Sequence, residues 1–215
     1  MNYSVITLMD EIRTILDRNK NSEQLINVND IDTLSIDNII ESKIVDAAKF
    51  IEYNAPSYLL GSGNSLGTSA NGETSYNVTW KSAVGAGMGS IILPDDFMRL
   101  ITFQMTDWSR PANVITEDSP EYAMQSSRYP GVRGCPQKPI VAIVPRSNGL
   151  LLEFYSCTAG DTVTVRHARY LAIPAIVDGT ISLCDKLKNA IEYYAAYLAC
   201  ITVMDTNMAA PLRNT

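Results

Sequence analysis

Asp95 and Asp96, side by side after Pro94, are the residues of this chain that most invite a chemical reading, since paired carboxylates can divide acid and base roles. Their surroundings point elsewhere. No histidine, nucleophile or third carboxylate lies close in sequence, and Pro94-Asp95-Asp96 has the composition of a tight turn. Two glycine-rich stretches, Gly61-Ser62-Gly63-Asn64-Ser65-Leu66-Gly67 and Gly85-Ala86-Gly87-Met88-Gly89, invite a phosphate-loop reading. A dinucleotide loop must follow a buried strand and open a helix, and a Walker loop needs Gly-Lys-Ser/Thr; neither context is present. Both stretches read as loops or hairpin tips that order on meeting a partner, because glycine loses the most backbone freedom on ordering.

Cys135, Cys157, Cys184 and Cys200 show no C-x-x-C spacing and have only His167 to help them, so they make no zinc site and read as reduced core residues. His167 itself reads as a hydrogen-bonded side chain at a strand end, on one face with Val163 and Val165. There is no G-x-S-x-G and no H-E-x-x-H. No catalytic, cofactor-binding or metal-ligating residue is assigned, and the expectation is a protein that is not an enzyme. A carboxylate-based hydrolase stays as the lesser alternative, because two acids joined by folding leave no spacing signature.

With 215 residues, a hydrophobic fraction of 46% and a charged fraction of 19%, the composition is that of a globular protein with a real core. The net charge of -6 argues against sequence-independent nucleic-acid binding, though a local basic stripe can hide inside an acidic total. The first residues lack a basic segment followed by an apolar run, and no apolar run is long enough to span a membrane.

These residues must be positioned by elements that the patterning predicts. Val5, Leu8, Met9, Ile12, Ile15 and Leu16 define a helix over about residues 4–18, with Ser4 as its cap. After an Asn-rich linker, Ser35 reads as the cap of a second helix whose stripe is Ile36, Ile40, Ile44, Ala47 and Ile51, ended by Asn54-Ala55-Pro56. Leu93-Pro94-Asp95-Asp96 then turns the chain into a central strand, with Phe97, Arg99, Ile101, Phe103 and Met105 on one face. Trp80, Ile91, Ile101, Val114, Ile143, Leu152 and Val165 mark strand centres, Ser119-Pro120-Glu121 opens a short helix, and Ser147-Asn148-Gly149 is a hairpin turn. A last helix carries Cys184, Leu187, Ile191, Tyr194, Leu198 and Ile201 as its main stripe, and from about residue 193 to 204 it is apolar nearly all round. Such a segment needs cover on every face, which points to a neighbouring subunit, with Tyr193, Tyr197, Cys200 and Val203 as the first expected contacts. The expected fold class is α+β: a helical bundle, of two N-terminal helices plus a long C-terminal one, with an inserted small β-sandwich or barrel. The expected divisions are 1–56 and 173–215 for the bundle and 57–172 for the β-rich insertion.

Three stretches carry a resemblance: Leu34-Ser35-Ile36-Asp37-Asn38-Ile39-Ile40 opening the second helix, the turn at 93–101 with Pro94, Asp95, Asp96 and Arg99 leading to Trp108 and Arg110, and Ala190-Ile191-Glu192-Tyr193-Tyr194-Ala195-Ala196-Tyr197. With this order of elements, the chain resembles the head-to-tail connector (adaptor, or ring) proteins of tailed bacteriophages, closest to those of short-tailed and crAss-like phages. The resemblance implies a structural virion protein at the head-tail junction, assembled in the host cytoplasm as a ring, typically of twelve copies, between the portal and the next tail component. It also implies that DNA passes through without specific binding, along a lumen expected to be acidic or neutral, and that a C-terminal segment holding Met208, Pro211, Leu212 and Arg213 docks on the portal. No cofactor and no membrane enter this reading. A tail-side receptor-binding or decoration protein is the other non-enzymatic alternative.

Overall fold

The computed structural model describes residues 1–16, 36–61, 63–70, 73–81, 87–127, 129, 132–158, 163–203, 209–210 and 212. In chain order the elements are β1 (Asn2–Ser4), α1 (Val5–Ile15), α2 (Ile36–Asn54), β2 (Asn64–Ser65), β3 (Thr68–Ala70), β4 (Glu73–Ser75), β5 (Val78–Lys81), β6 (Met88–Ile92), β7 (Phe97–Met105), β8 (Asn113–Thr116), α3 (Pro120–Met124), β9 (Ile140–Arg146), β10 (Gly149–Phe154), β11 (Val165–Ala172), β12 (Ile176–Val177), β13 (Thr180–Ser182) and, after a single 3-10 turn at Asp185–Leu187, α4 (Lys188–Thr202). They fall into two compact units: Met1–Gly61 with Ile173–Thr215, and Ser62–Ala172.

In the first unit, α1 presents Val5, Leu8 and Ile12 and α2 presents Ile36, Ile40, Ile44 and Ala47, all buried, as three- and four-residue spacing requires. Ser4 stands at the N-cap position of α1, yet its side chain makes no capping bond. The Val5 N–H donates to the Gly179 carbonyl instead, 3.0 Å away. This follows from β1, which pairs antiparallel with β13 and brings the β12–β13 hairpin against the start of the helix. The proposed cap Ser35 lies outside the described residues.

In the second unit, β5-β6-β10-β9-β8 form a five-stranded sheet and β2-β11-β7 a three-stranded one, with β3 and β4 as a separate hairpin. The two larger sheets share one core, to which Ile91, Val141, Leu152 and Phe154 come from the first and Phe97, Leu100, Phe103 and Ala168 from the second. At its centre Phe154 meets Trp80 edge-on, with ring centroids 5.3 Å apart and planes at 87°, and Phe103 lies 5.8 Å away. Such rings bury the largest areas per residue and fix their neighbours by geometry. Most of the five-stranded sheet is antiparallel; β8 runs parallel to β9, and the chain between them crosses over through α3. Ser119 caps α3 by accepting from the Glu121 N–H at 3.3 Å.

The expected helical bundle with a small inserted sandwich or barrel is not what the chain builds. Among the described residues there are thirteen strands against four α-helices, so the molecule is mixed throughout. The helical unit carries its own three-stranded sheet, β1-β13-β12, and the other unit's larger sheets are open, with edge strands β5, β8, β2 and β7. The strands that undo the bundle are two or three residues long, too short to show a period of two. Two local expectations also change. The alternation of β7 breaks, with Phe97, Leu100, Phe103, Gln104 and Met105 buried, because its pairing with β11 shifts register at three places. The first glycine-rich stretch contains β2 and is followed by the β3–β4 hairpin, so it is not wholly loop; of the second, Gly85 and Ala86 lie outside the described residues.

Candidate assembly surface

Helix α4 packs against both α1 and α2, and the face it buries there is made of Ile191, Glu192, Ala195, Ala196, Ala199 and Cys200. Small side chains let helix backbones approach closely, so the alanine face goes inward. The bulkier stripe expected to be the core, Tyr194, Leu198 and Ile201, becomes the shoulder: Tyr194 and Leu198 are half-buried and Ile201 is 47% exposed. Tyr194 stacks on Phe50 of α2, with centroids 4.8 Å apart and planes at 14°, and Tyr197 continues the row 5.7 Å from Tyr194. Phe50 and Tyr53, one turn apart on α2, remain exposed, as does Tyr193. Together these residues make an aromatic ledge along α2 and α4.

Of the residues expected at a subunit contact, Tyr193 is exposed and Tyr197 and Val203 are half-buried, whereas Cys200 is buried on the alanine face. Of the expected portal-docking segment, Leu212 is half-buried and helical; Met208, Pro211 and Arg213 lie outside the described residues. The central turn stands where the proline places it: the Phe97 N–H donates to the Pro94 carbonyl at 3.0 Å, Asp95 is exposed, and Arg99 is half-buried in β7. Asp96 accepts from the Tyr170 hydroxyl at 3.0 Å, so its carboxylate ties the turn to β11.

Two polar clusters resemble sites in composition. In the first, Lys188 bridges Glu11 of α1 and Glu192 of α4, standing 3.2 Å from the latter, and lies over the Tyr3 ring at 5.4 Å. Burial, reinforced by a hydrogen bond with Glu11, pushes the Glu192 carboxyl up to about 7, and that shared bond together with Lys188 pulls Glu11 down. Two carboxyls that hold one proton between them at an interhelical contact make a pH-sensitive clamp. The sign follows from the raised group: Glu192 stays protonated in the folded chain while the unfolded chain ionises near its ordinary 4.5, so stability falls as pH rises from about 4.5 to about 7. The lowered Glu11 acts in the other direction and weakens the fold below its ordinary 4.5. Glu192→Gln is therefore expected to flatten the decline between about pH 5 and pH 8 by on the order of 1–2 kcal/mol, read from urea midpoints. Parallel profiles for the two proteins would contradict the assignment.

In the second cluster, Glu153 of β10 is 3% exposed on the side of the five-stranded sheet away from Phe154, beneath α3. The hydroxyls of Tyr122, at 3.1 Å, and Tyr155 both donate to its Oε2. Arg146 approaches its Oε1 at 3.7 Å and donates to the Tyr122 hydroxyl at 3.0 Å and to Glu117 at 3.2 Å. Burial, then the bond to Glu153, pushes the Tyr155 phenol far above its ordinary value, so it cannot serve as a base near neutral pH. The cluster ties α3 to the sheet. Sequence reading missed both clusters, since Glu11 lies far from Glu192 in the chain and Glu153 stands in a strand whose neighbours are apolar.

Among the described residues, no group of three or more His, Cys, Asp or Glu side chains is placed to hold a metal ion, and no helix is long and apolar enough to cross a membrane. The chain matches no family model. Nor does any curated protein match it.

Proposed function

We propose that this chain is a structural subunit of a homo-oligomeric ring at the head-tail junction of a tailed-phage virion, joining the portal to the next tail component and leaving a channel for DNA. The observation that supports it most directly is the aromatic ledge of Phe50, Tyr53, Tyr193, Tyr194, Tyr197 and Ile201, which one subunit leaves partly open to water on the helical unit. Aromatic side chains at the centre of a patch are the usual anchors of subunit contacts, and a stable contact buries about 800 Å² on each partner. The resemblance of the element order and of residues 190–197 to phage connectors supplies the ring. The reading assigns no chemical step to the chain, and it assigns a lumen that is acidic or neutral, in keeping with the net charge of -6.

Sedimentation of the purified chain over a range of concentrations, alone and with its portal, tests the reading. Wild type is expected to form closed rings in at least one of these conditions. Tyr193→Asp with Ile201→Asp, both at exposed positions, is expected to leave the circular dichroism unchanged and to abolish assembly. A chain that stays monomeric in every condition, or a variant that assembles undiminished, overturns the proposal.

A further inference from the structure

Asparagine stands directly before glycine twice in this chain, at 71–72 and at 148–149, and the first pair lies outside the described residues. The second pair is at the tip of the hairpin that joins β9 to β10, where Arg146 opposite Gly149 is the last pair of the ladder. Every residue from Pro145 to Leu150 is exposed. Gly149 has φ +108°, and a Cβ built on it would meet nothing within 4 Å, so the turn around its α-carbon is open to water. Among the described residues the Asn148 amide has one hydrogen-bonding neighbour, the Ser147 hydroxyl, 3.4 Å from Oδ1. Asn54 is the contrast: its amide donates to the Phe50 carbonyl at 2.8 Å, and the residue after it, Ala55, is buried.

We propose that Asn148 is a site of spontaneous covalent modification, deamidating through a cyclic imide closed by the Gly149 backbone nitrogen. Asparagine is thermally labile because its side-chain carbonyl carbon and the next backbone nitrogen can close a five-membered ring. Hydroxide takes the Gly149 amide proton, the nitrogen bonds to Cγ of Asn148, and Nδ2 takes a proton from water and leaves as ammonia. Water then opens the imide at either carbonyl, giving aspartate or isoaspartate, with no change of oxidation state. A folded chain must supply freedom for ring closure: a following residue without a side chain, and a backbone that can leave its place. Here the pair that has to open is the last of the ladder, and exposed loop tips open at little cost. The product adds one negative charge to the formal -6, two residues from Arg146. Isoaspartate also adds a carbon to the main chain, inside a turn that sets the register of Pro145 against Leu150. The inference concerns the second unit and does not depend on the ring.

The full chain and a free peptide of residues 141–155, aged side by side at mildly alkaline pH, test it by mass mapping of the digests and by enzymatic methylation of isoaspartate. Wild type is expected to convert at Asn148 at a rate within about tenfold of the peptide's, with isoaspartate in excess of aspartate, while Asn54 stays intact. Ion exchange should show the added negative charge growing in step. Asn148→Gln, which would have to close a larger ring, should keep the thermal midpoint of wild type and lose most of the isoaspartate formed in the same time. A rate more than about tenfold below the peptide's, conversion no faster than at Asn54, or total isoaspartate undiminished in Asn148→Gln would each overturn the inference.

Discussion

Glu153→Ala is expected to lower the unfolding free energy by about 3 kcal/mol, because it removes a buried carboxylate that two tyrosine hydroxyls share as acceptor. In the wild type the Tyr122 and Tyr155 hydroxyls both donate to Glu153, and Arg146 stands 3.7 Å from it. Without the carboxylate, the buried Tyr155 phenol loses its main acceptor and keeps only the Tyr122 hydroxyl beside it, a loss of about 1–3 kcal/mol by itself. Arg146 keeps Glu117 and partial contact with water, so the loss stays near the lower end of what a broken buried pair costs. Glu153→Gln keeps the shape and one acceptor and should lose about half as much. Urea denaturation gives both values. A cost below about 0.5 kcal/mol for the alanine variant would mean that α3 is held to the sheet by its apolar contacts alone.

Gly87→Ala should be nearly as damaging, for a steric reason. Gly87 has φ +87°, where a side chain is strained, and an added Cβ would overlap the backbone carbonyl of Cys157, well inside the 3.0 Å that real Cβ atoms keep. The Cys157 N–H also donates to the Gly87 carbonyl, at 3.3 Å, so the two segments cannot part without losing that bond. The strain of a positive φ costs about 1–2 kcal/mol, and displacing backbone at the edge of the core brings the expected total to about 3 kcal/mol. Gly149 is the control: its φ is +108° but nothing lies within 4 Å of the added atom, so Gly149→Ala should show the φ cost alone. Equal losses at the two positions, measured as shifts in urea midpoint, would show that the close approach adds nothing.

The sequence was most legible where one side of an element faces a core and the other faces water. The stripe of α2, the hairpin of β9 and β10, and the proline turn into β7 follow from residues whose spacing reports that asymmetry. Legibility failed in three physical situations. β1, β12 and β13 span two or three residues each, less than a pattern needs. On α4 the larger side chains suggest the core stripe, yet Ala195, Ala196 and Ala199 go inward because close helix packing selects small side chains, and Tyr193 stays outside. On β7 and β11 the bulges shift which residues share a face, and no residue type announces a bulge in advance. The same slip removed His167 from the face expected for it and set it beside Arg166.

Tyr3 of β1 pairs with Ile181 of β13, which joins the two distant parts of the chain that make up the helical unit. During synthesis this fixes an order of events. The unit at Ser62–Ala172 is contiguous and can close as soon as its last strand leaves the ribosome, whereas α1 and α2, made before it, must wait for α4. At about 5–20 residues per second that delay is on the order of ten seconds, during which Leu8, Ile12, Ile40 and Ile44 have no core to enter. Helices α1 and α2, translated before the contiguous unit, are thus finished after it, and they are a stretch on which a chaperone has long to act.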